Sequence, residues 1–294
     1  MAVSTIPQPV KPLVDSLGAR VGNLETGATG LGTRVGNLET VINNFLIDGS
    51  LPGSAGFHNS IFRGKSLGGS VTEAQYAAIG AGTFDGLFIG DYWTINNVNW
   101  RIAAFDYWLN HGDEGHVCQT HHAVIVPDTC LATSCEMNST DITTGGYVGS
   151  DYYTASNSNT GKATAGAAIT GAFGAEHILT HRELLTNAIT DNLASAWSWY
   201  DCMFELMNEN MVFGSSRGGG RPQIGINYNI GNSNAQFQLF VFSPNYISIQ
   251  APYWTRDINN EHNFTNVNAG GEGNAVGASD TTVGGIRPEF AIKA

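Results

Sequence analysis

Positive charge is scarce in this chain. Of its 294 residues only 13 are Lys or Arg, against 25 Asp or Glu, so the formal net charge is −12. Nucleic acids and anionic membranes both need basic patches, and neither is an expected partner. Charged residues of either sign make up 13% of the chain, about half the usual share for a globular protein. No apolar run reaches the ~18 residues of a transmembrane helix, so no membrane insertion is expected. The first residues carry neither a basic region nor an apolar one, and no signal peptide is expected. The cysteines are Cys118, Cys130, Cys135 and Cys202. None forms a C-x-x-C pair, which argues against a zinc ribbon or a thioredoxin-like site. Reduced, buried thiols are the simplest reading; the alternative is a bridge between Cys130 and Cys135 across a short loop. P-loop and His-Glu-x-x-His signatures are missing too.

In place of charge there is glycine, 37 residues of it, with many Asn, Ser and Thr. The hydrophobic share is 42%, enough for a sizeable core. A polar but uncharged surface of this kind is common on extracellular and virion proteins. Without a secretion signal, it implies synthesis in a host cytoplasm and release by lysis.

The strongest pattern lies between residues 14 and 45. Apolar residues recur as Val14, Leu17, Val21, Leu24, Ala28, Leu31, Val35, Leu38, Ile42 and Phe45, in steps that alternate three and four. That is the a/d seam of a coiled coil. The phrase Arg20-Val21-Gly22-Asn23-Leu24-Glu25 repeats as Arg34-Val35-Gly36-Asn37-Leu38-Glu39. Arg20 and Arg34 fall at g, Glu25 and Glu39 at the following e, where ion pairs form between parallel chains. The phrase resembles the Arg-h-x-x-h-Glu signature (h apolar) of parallel three-stranded coiled coils, which implies a homotrimer. Six glycines lie between the seam positions, each costing about 1 kcal/mol of helix propensity relative to Ala. A helix here therefore needs the seam to be buried between chains.

Four segments are expected. Residues 1–13, with Pro7, Pro9 and Pro12, form an extended arm that anchors to a virion capsid or tail protein. Residues 14–47 form the stalk and 48–56 a Gly/Ser hinge. Residues 57–294 form the head, read as an α+β fold. Within it, Ser70-Val71-Thr72-Glu73 and Thr180-His181-Arg182-Glu183 look like capping boxes that open helices over about 71–81 and 181–190. Helices are also expected over 163–173 and 201–211. Strands are expected at 92–95 and 98–105 around an Asn96-Asn97 turn, and at 123–126, 239–242, 253–257, 264–268 and 286–292. Residues 214–236 read as a Gly/Asn/Ser loop.

The head carries Ile89-Gly90-Asp91-Tyr92-Trp93-Thr94-Ile95, Asn99-Trp100-Arg101-Ile102 and Val124-Ile125-Val126-Pro127-Asp128. It ends with Tyr253-Trp254-Thr255-Arg256-Asp257 and Gly285-Ile286-Arg287-Pro288-Glu289-Phe290-Ala291-Ile292. In this order the motifs resemble a family of phage and prophage structural proteins with a C-type-lectin-like domain, the branch shared with formylglycine-generating enzymes and with retroelement-diversified variable proteins. The resemblance implies a virion protein whose last loops face a ligand. Asn259, Asn260, His262, Asn263, Phe264, Asn266, Asn268 and Asn274 match the segment that carries ligand contacts in the diversified relatives. Asn pairs well with sugar hydroxyls and peptide groups, and aromatic rings pack on sugar faces. The same residues fit a loop that merely turns between strands.

Other constellations are weaker. His116, Cys118, His121 and His122 include a possible ligand pair but lack a second, so no metal and no cofactor is expected. Asp106, Asp113 and Glu114 have the chemistry of a glycosidase pair, but acids in a polar loop are usually just solvated. Arg256 and Arg287 are expected to be structural, pairing with Asp257, Asp91 or backbone carbonyls. Three functions remain in order. The first is a homotrimeric phage fibre or spike whose heads bind a host-surface glycan or protein. The second is a non-binding head fibre or capsid decoration protein. The third is a surface-polysaccharide hydrolase or a formylglycine-generating-type oxidase.

Overall fold

The heptad segment forms one unbroken helix, α1 (Lys11–Leu46), in the computed structural model, which describes residues 11–46, 54–217 and 235–294. The helix starts earlier than the three prolines suggest. Pro12 sits in its first turn, where a missing N–H costs nothing. The arm expected over 1–13 therefore lies, for residues 1–10, outside the described residues. Along the single helix the seam faces outward: Leu17 is 59% exposed, Leu24 73% and Leu31 60%, with Val14, Val21 and Val35 also exposed. The side chains of Leu38, Glu39 and Ile42 lie outside the described residues. No described helix is long and apolar enough to cross a membrane.

The chain divides into two compact units, residues 1–52 and 53–294. Of the expected hinge, residues 48–53 fall outside the described residues. Ser54 already caps a short helix, α2 (Ala55–His58), its hydroxyl accepting from the Phe57 N–H. The second unit is mixed α+β. It continues with β1 (Ser66–Gly68), α3 (Glu73–Gly80), β2 (Tyr92–Ile95), β3 (Val98–Phe105), β4 (Ala123–Pro127), α4 (Asp151–Thr154) and α5 (Lys162–Phe173). Then come β5 (His181–Thr190), β6 (Leu193–Cys202), β7 (Phe204–Leu206), α6 (Glu209–Phe213), α7 (Gln238–Phe242), β8 (Tyr253–Ile258), β9 (Asn263–Val267), β10 (Gly273–Gly277) and β11 (Pro288–Ile292).

Three sheets result. The largest runs β1-β2-β3-β4-β11-β7; only its β1–β2 pair is parallel. The second runs β10-β9-β8, and the third is the β5-β6 hairpin. Asn96 and Asn97 take φ 51° and 63° in the β2–β3 turn, as a two-residue hairpin loop requires. Trp93, Trp100, Ile102, Phe173 and Phe290 build the core under the large sheet. Met137, Tyr147, Tyr152, Trp254, Phe264 and Ile286 build a second core.

Several expected elements are corrected. α3 is capped not by Ser70 but by Thr72: its hydroxyl accepts from the Gln75 N–H, and Gln75 Oε1 accepts from the Thr72 N–H. The helix expected over 181–190 is strand β5, paired with β6 through an Asp191-Asn192 turn with φ 52° and 61°. Its inward positions include His181, Glu183 and Leu185. Glu183 is buried at 0% exposure and does not reach back to cap a helix. The helix expected over 201–211 breaks into the end of β6, then β7, then α6, which Asn208 caps through the Met211 N–H. The strand expected over 239–242 is helix α7. Leu239 and Phe240 are buried while Val241 and Phe242 are exposed, an in-in-out-out order that an alternating strand does not produce.

Candidate functional site

The eight candidate contact residues do not share one surface. β9 is the central strand of its sheet, so its interior is covered. Phe264 is fully buried in the second core, and Asn266 is buried with its amide donating to the Val283 carbonyl at 3.1 Å. Neither faces a ligand. Asn268 sits past the C-terminal end of β9, about five residues from Asn263, or about 16 Å along a strand. Its Oδ1 accepts from the N–H groups of Gly270 and Glu272, so it shapes the β9–β10 turn. Asn274 is exposed on β10, opposite Asn266.

Asn259, Asn260 and His262 lie at the other end, in the β8–β9 turn, and Asn263 opens β9. Asn260 Oδ1 accepts from the N–H groups of His262 (2.8 Å) and Asn263 (3.0 Å). Here the fold gathers loops that are distant in sequence. The Thr143 hydroxyl donates to the Asn260 carbonyl at 2.6 Å, and its N–H donates to the Glu261 carbonyl. His262 Nδ1 lies 2.8 Å from the Asp141 carbonyl. Asp141 Oδ1 accepts from both the N–H and the hydroxyl of Ser279, at 2.8 Å each. Those two donors hold its pKa below the usual value, so it stays charged. The hairpin tip at Asn192 reaches the Glu261 N–H at 3.4 Å. This loop cluster exposes two aliphatic side chains, Ile142 at 57% and Leu193 at 39%, among Asn192, His262 and Asp141. Loops braced on a rigid scaffold are the usual setting for binding residues.

A second site lies in the interior. β5 turns His181 and Glu183 inward, β11 supplies Glu289, β7 supplies Glu205 and β8 supplies Arg256, all buried. Glu183 Oε2 accepts from Arg256 at 2.5 Å, and Glu183 Oε1 lies 3.3 Å from His181 Nε2. Trp108 stacks on the His181 ring at 3.8 Å. Glu205 accepts from the Tyr147 hydroxyl at 2.6 Å and meets Lys162 at 3.5 Å. Glu289 faces Glu205 directly across β11–β7, a like-charge pairing that strands normally avoid. Neither oxygen of Glu289 has a hydrogen-bond partner, and its nearest cation, Arg256 Nη1, is 3.7 Å away.

The electrostatics follow from this geometry. Burial opposes ionisation of Glu183, but Arg256 and His181 outweigh it and hold the carboxyl below its ordinary pKa. Burial and the Glu183 charge drive Glu289 the opposite way, well above the usual range. Burial also raises Glu205, with Lys162 and Tyr147 offsetting only part of it. Beside Arg256 lies a polar cavity of about 40 Å³, lined by Tyr147, Asn208 and Asp257 among others, large enough for a water molecule.

The remaining candidates are dispersed. Asp106, at φ 53°, accepts from the His122 N–H and contacts His121 Nδ1 at 2.7 Å. His122 is fully buried; its Nε2 accepts from the Trp108 N–H, and burial pushes its pKa down to about 3, so it is neutral. Asp113 is held by the Arg182 fork at 2.7 and 2.8 Å. Among the described residues, His116, Cys118, His121 and His122 do not converge as metal ligands; His181, Glu183 and Glu289 do. All four cysteines are free thiols, and burial pushes Cys130 and Cys135 up to about 11, away from reactive thiolate. Arg287 donates to the carbonyls of Pro127 and Ile247, as expected of a structural arginine. Arg256 pairs with Glu183 and Glu289 rather than with Asp257 or Asp91; Asp91 instead takes Arg63.

The interior cluster was missed by sequence reasoning, although a signal for it exists. Glu205 in Phe204-Glu205-Leu206 and Glu289 in Pro288-Glu289-Phe290 are lone acids inside apolar strands, which demand a partner. Comparison of the chain with protein-family models, with curated proteins and with solved structures finds no match.

Proposed function

We infer that this protein is a homotrimeric virion fibre or spike that displays lectin-like heads on a coiled-coil stalk, and that the heads bind a host-surface glycan or protein. The observation that carries the reading is the exposed seam of α1. A single helix leaves Leu17, Leu24 and Leu31 more than half exposed at the d positions and Val14, Val21 and Val35 exposed at the a positions. Six interior glycines weaken that helix on its own. Association with other copies supplies the burial that such a helix lacks; the Arg20/Glu25 and Arg34/Glu39 spacing suits parallel chains, and the likeness of their phrase to the three-stranded signature makes the number three. Residues 1–13 are left to dock on a capsid or tail protein.

The loop cluster around Asn260, Ile142 and His262 is the face best suited to a ligand. It offers amide donors and acceptors beside apolar contact area, the combination that binds sugars and extended peptides. Three such faces on one stalk raise effective affinity by avidity, about 10²–10⁴-fold, without any new contact. The test is binding of labelled full-length protein to a panel of candidate host bacteria, beside the double variant Ile142→Glu/Leu193→Glu. Both side chains are exposed, so the fold should tolerate the change. Saturable binding lost in the variant supports the adhesin. Binding nowhere, by an intact trimer, favours the decoration protein instead.

A further inference from the structure

We propose that the interior cluster is a structural metal site, in which His181, Glu183 and Glu289 bind one divalent transition-metal ion, zinc by the chemistry of the donors.

Of the three side chains, Glu289 lacks the hydrogen-bond partners that its burial requires. Glu289 is buried at 0% exposure, and neither carboxylate oxygen meets a hydrogen-bond donor. A buried carboxyl left in that state costs several kcal/mol unless it is neutralised or coordinated. Glu183 divides its two oxygens: Oε2 takes Arg256, and Oε1 turns toward the His181 ring. One donor atom from each of the three residues lies within 4.8 Å of the others. Zinc bonds of about 2.0–2.1 Å at a tetrahedral angle place donors about 3.3–3.4 Å apart. His181 Nε2 and Glu183 Oε1 are already 3.3 Å apart. The two unpartnered oxygens of Glu289 can supply the third donor and, bound through both, the fourth.

The surroundings suit a ligand histidine. His181 Nδ1 faces the Leu179 carbonyl at 3.5 Å, the kind of outer partner that fixes the tautomer and leaves Nε2 for a metal. Trp108 stacks on the ring and holds its plane. Ionised together, the three carboxylates Glu183, Glu205 and Glu289 would face only two permanent cations, Arg256 and Lys162, so the third needs either a proton or a metal ion. A mixed imidazole and carboxylate donor set favours zinc over calcium or magnesium, which prefer oxygen alone. The ligands come from β5 and β11, so the ion would tie the long hairpin to the large sheet. This site does not depend on whether the heads bind a host.

The competing arrangement is a proton shared between Glu183 and Glu289, and the two are separated by measuring metal. The full chain, purified without a histidine tag from zinc-supplemented culture, is assayed for metal content by mass spectrometry. Its thermal melt is recorded with and without a chelator and after zinc is restored. The expected result is about one zinc per chain, a melt lowered by chelation and recovered with zinc, and loss of bound zinc in His181→Gln and Glu289→Gln. Wild-type protein that holds no stoichiometric ion, with a melt indifferent to chelator and to zinc, overturns the site and leaves the shared proton. If either variant fails to fold, the wild-type metal content and melt decide alone.

Discussion

Replacing Leu24 by Ala should loosen the proposed trimer by a predictable amount. Leu24 is 73% exposed on the isolated helix. Burying a whole leucine side chain contributes about 1.5–3 kcal/mol, so closing the seam over the exposed part contributes about 1.5 kcal/mol per chain and about 5 kcal/mol per trimer. At about 1.4 kcal/mol per decade, that raises the three-body dissociation constant by about 3.6 decades. The constant has units of concentration squared, so the concentration at half dissociation rises by half as many decades, roughly 60-fold. Sedimentation equilibrium over a dilution series of full-length protein reads this directly. Asn23→Ala, one position away at an outward c site, is the control and should leave the midpoint unchanged or lower it slightly. An equal shift in both variants, or none in Leu24→Ala, would refute the seam.

Three further outcomes follow from other parts of the molecule. Gly22→Ala and Gly36→Ala lie at outward b positions where a Cβ meets nothing within 4 Å; each should stabilise the helix by about 1 kcal/mol per chain, read as a higher melting temperature of the 222 nm signal. Asp257 is pushed up to about 7 by burial and by the neighbouring Glu209 charge. Its folded pKa exceeds the unfolded value of about 3.9, so the native state holds the extra proton and stability falls as pH rises between the two. Asp257→Asn should therefore lose less stability than wild type between pH 5 and 8 in paired denaturation curves; parallel pH profiles would contradict this. Arg287, fully buried, satisfies the Pro127 and Ile247 carbonyls and the Tyr253 hydroxyl. Arg287→Ala removes all of these donors, leaving the Ile247 carbonyl to the Tyr253 hydroxyl alone, and should cost about 3 kcal/mol or more in urea denaturation, with Arg287→Lys recovering only part.

The sequence is most readable where one periodicity dominates. The 3-4 spacing from Val14 to Phe45 marks α1, and the Asn96-Asn97 turn marks the β2–β3 hairpin, because local chemistry decides both. β5 is unreadable for the opposite reason. Its buried face is His181, Glu183 and Leu185, so the alternation is polar inside and escapes a hydrophobicity pattern. The acid that resembles a helix cap is there to meet Arg256. Likewise the Asn-rich stretch from 259 to 274 reads as one continuous surface, but β9 runs through it as a central strand and buries Phe264 and Asn266. Only tertiary pairing reveals that Asp141, Asn192 and Ser279 join the turn at Asn260. Composition brings none of these together, because they are up to 138 positions apart.

The central claim is that the head loops bind a host surface. Equilibrium binding of labelled full-length protein to candidate host bacteria, with Ile142→Glu/Leu193→Glu measured beside it, tests that claim most directly. The expected result is saturable binding to at least one host and its loss in the variant, with the trimer intact in both. Wild-type trimer that binds no host, or a variant that binds as tightly as wild type, would contradict it.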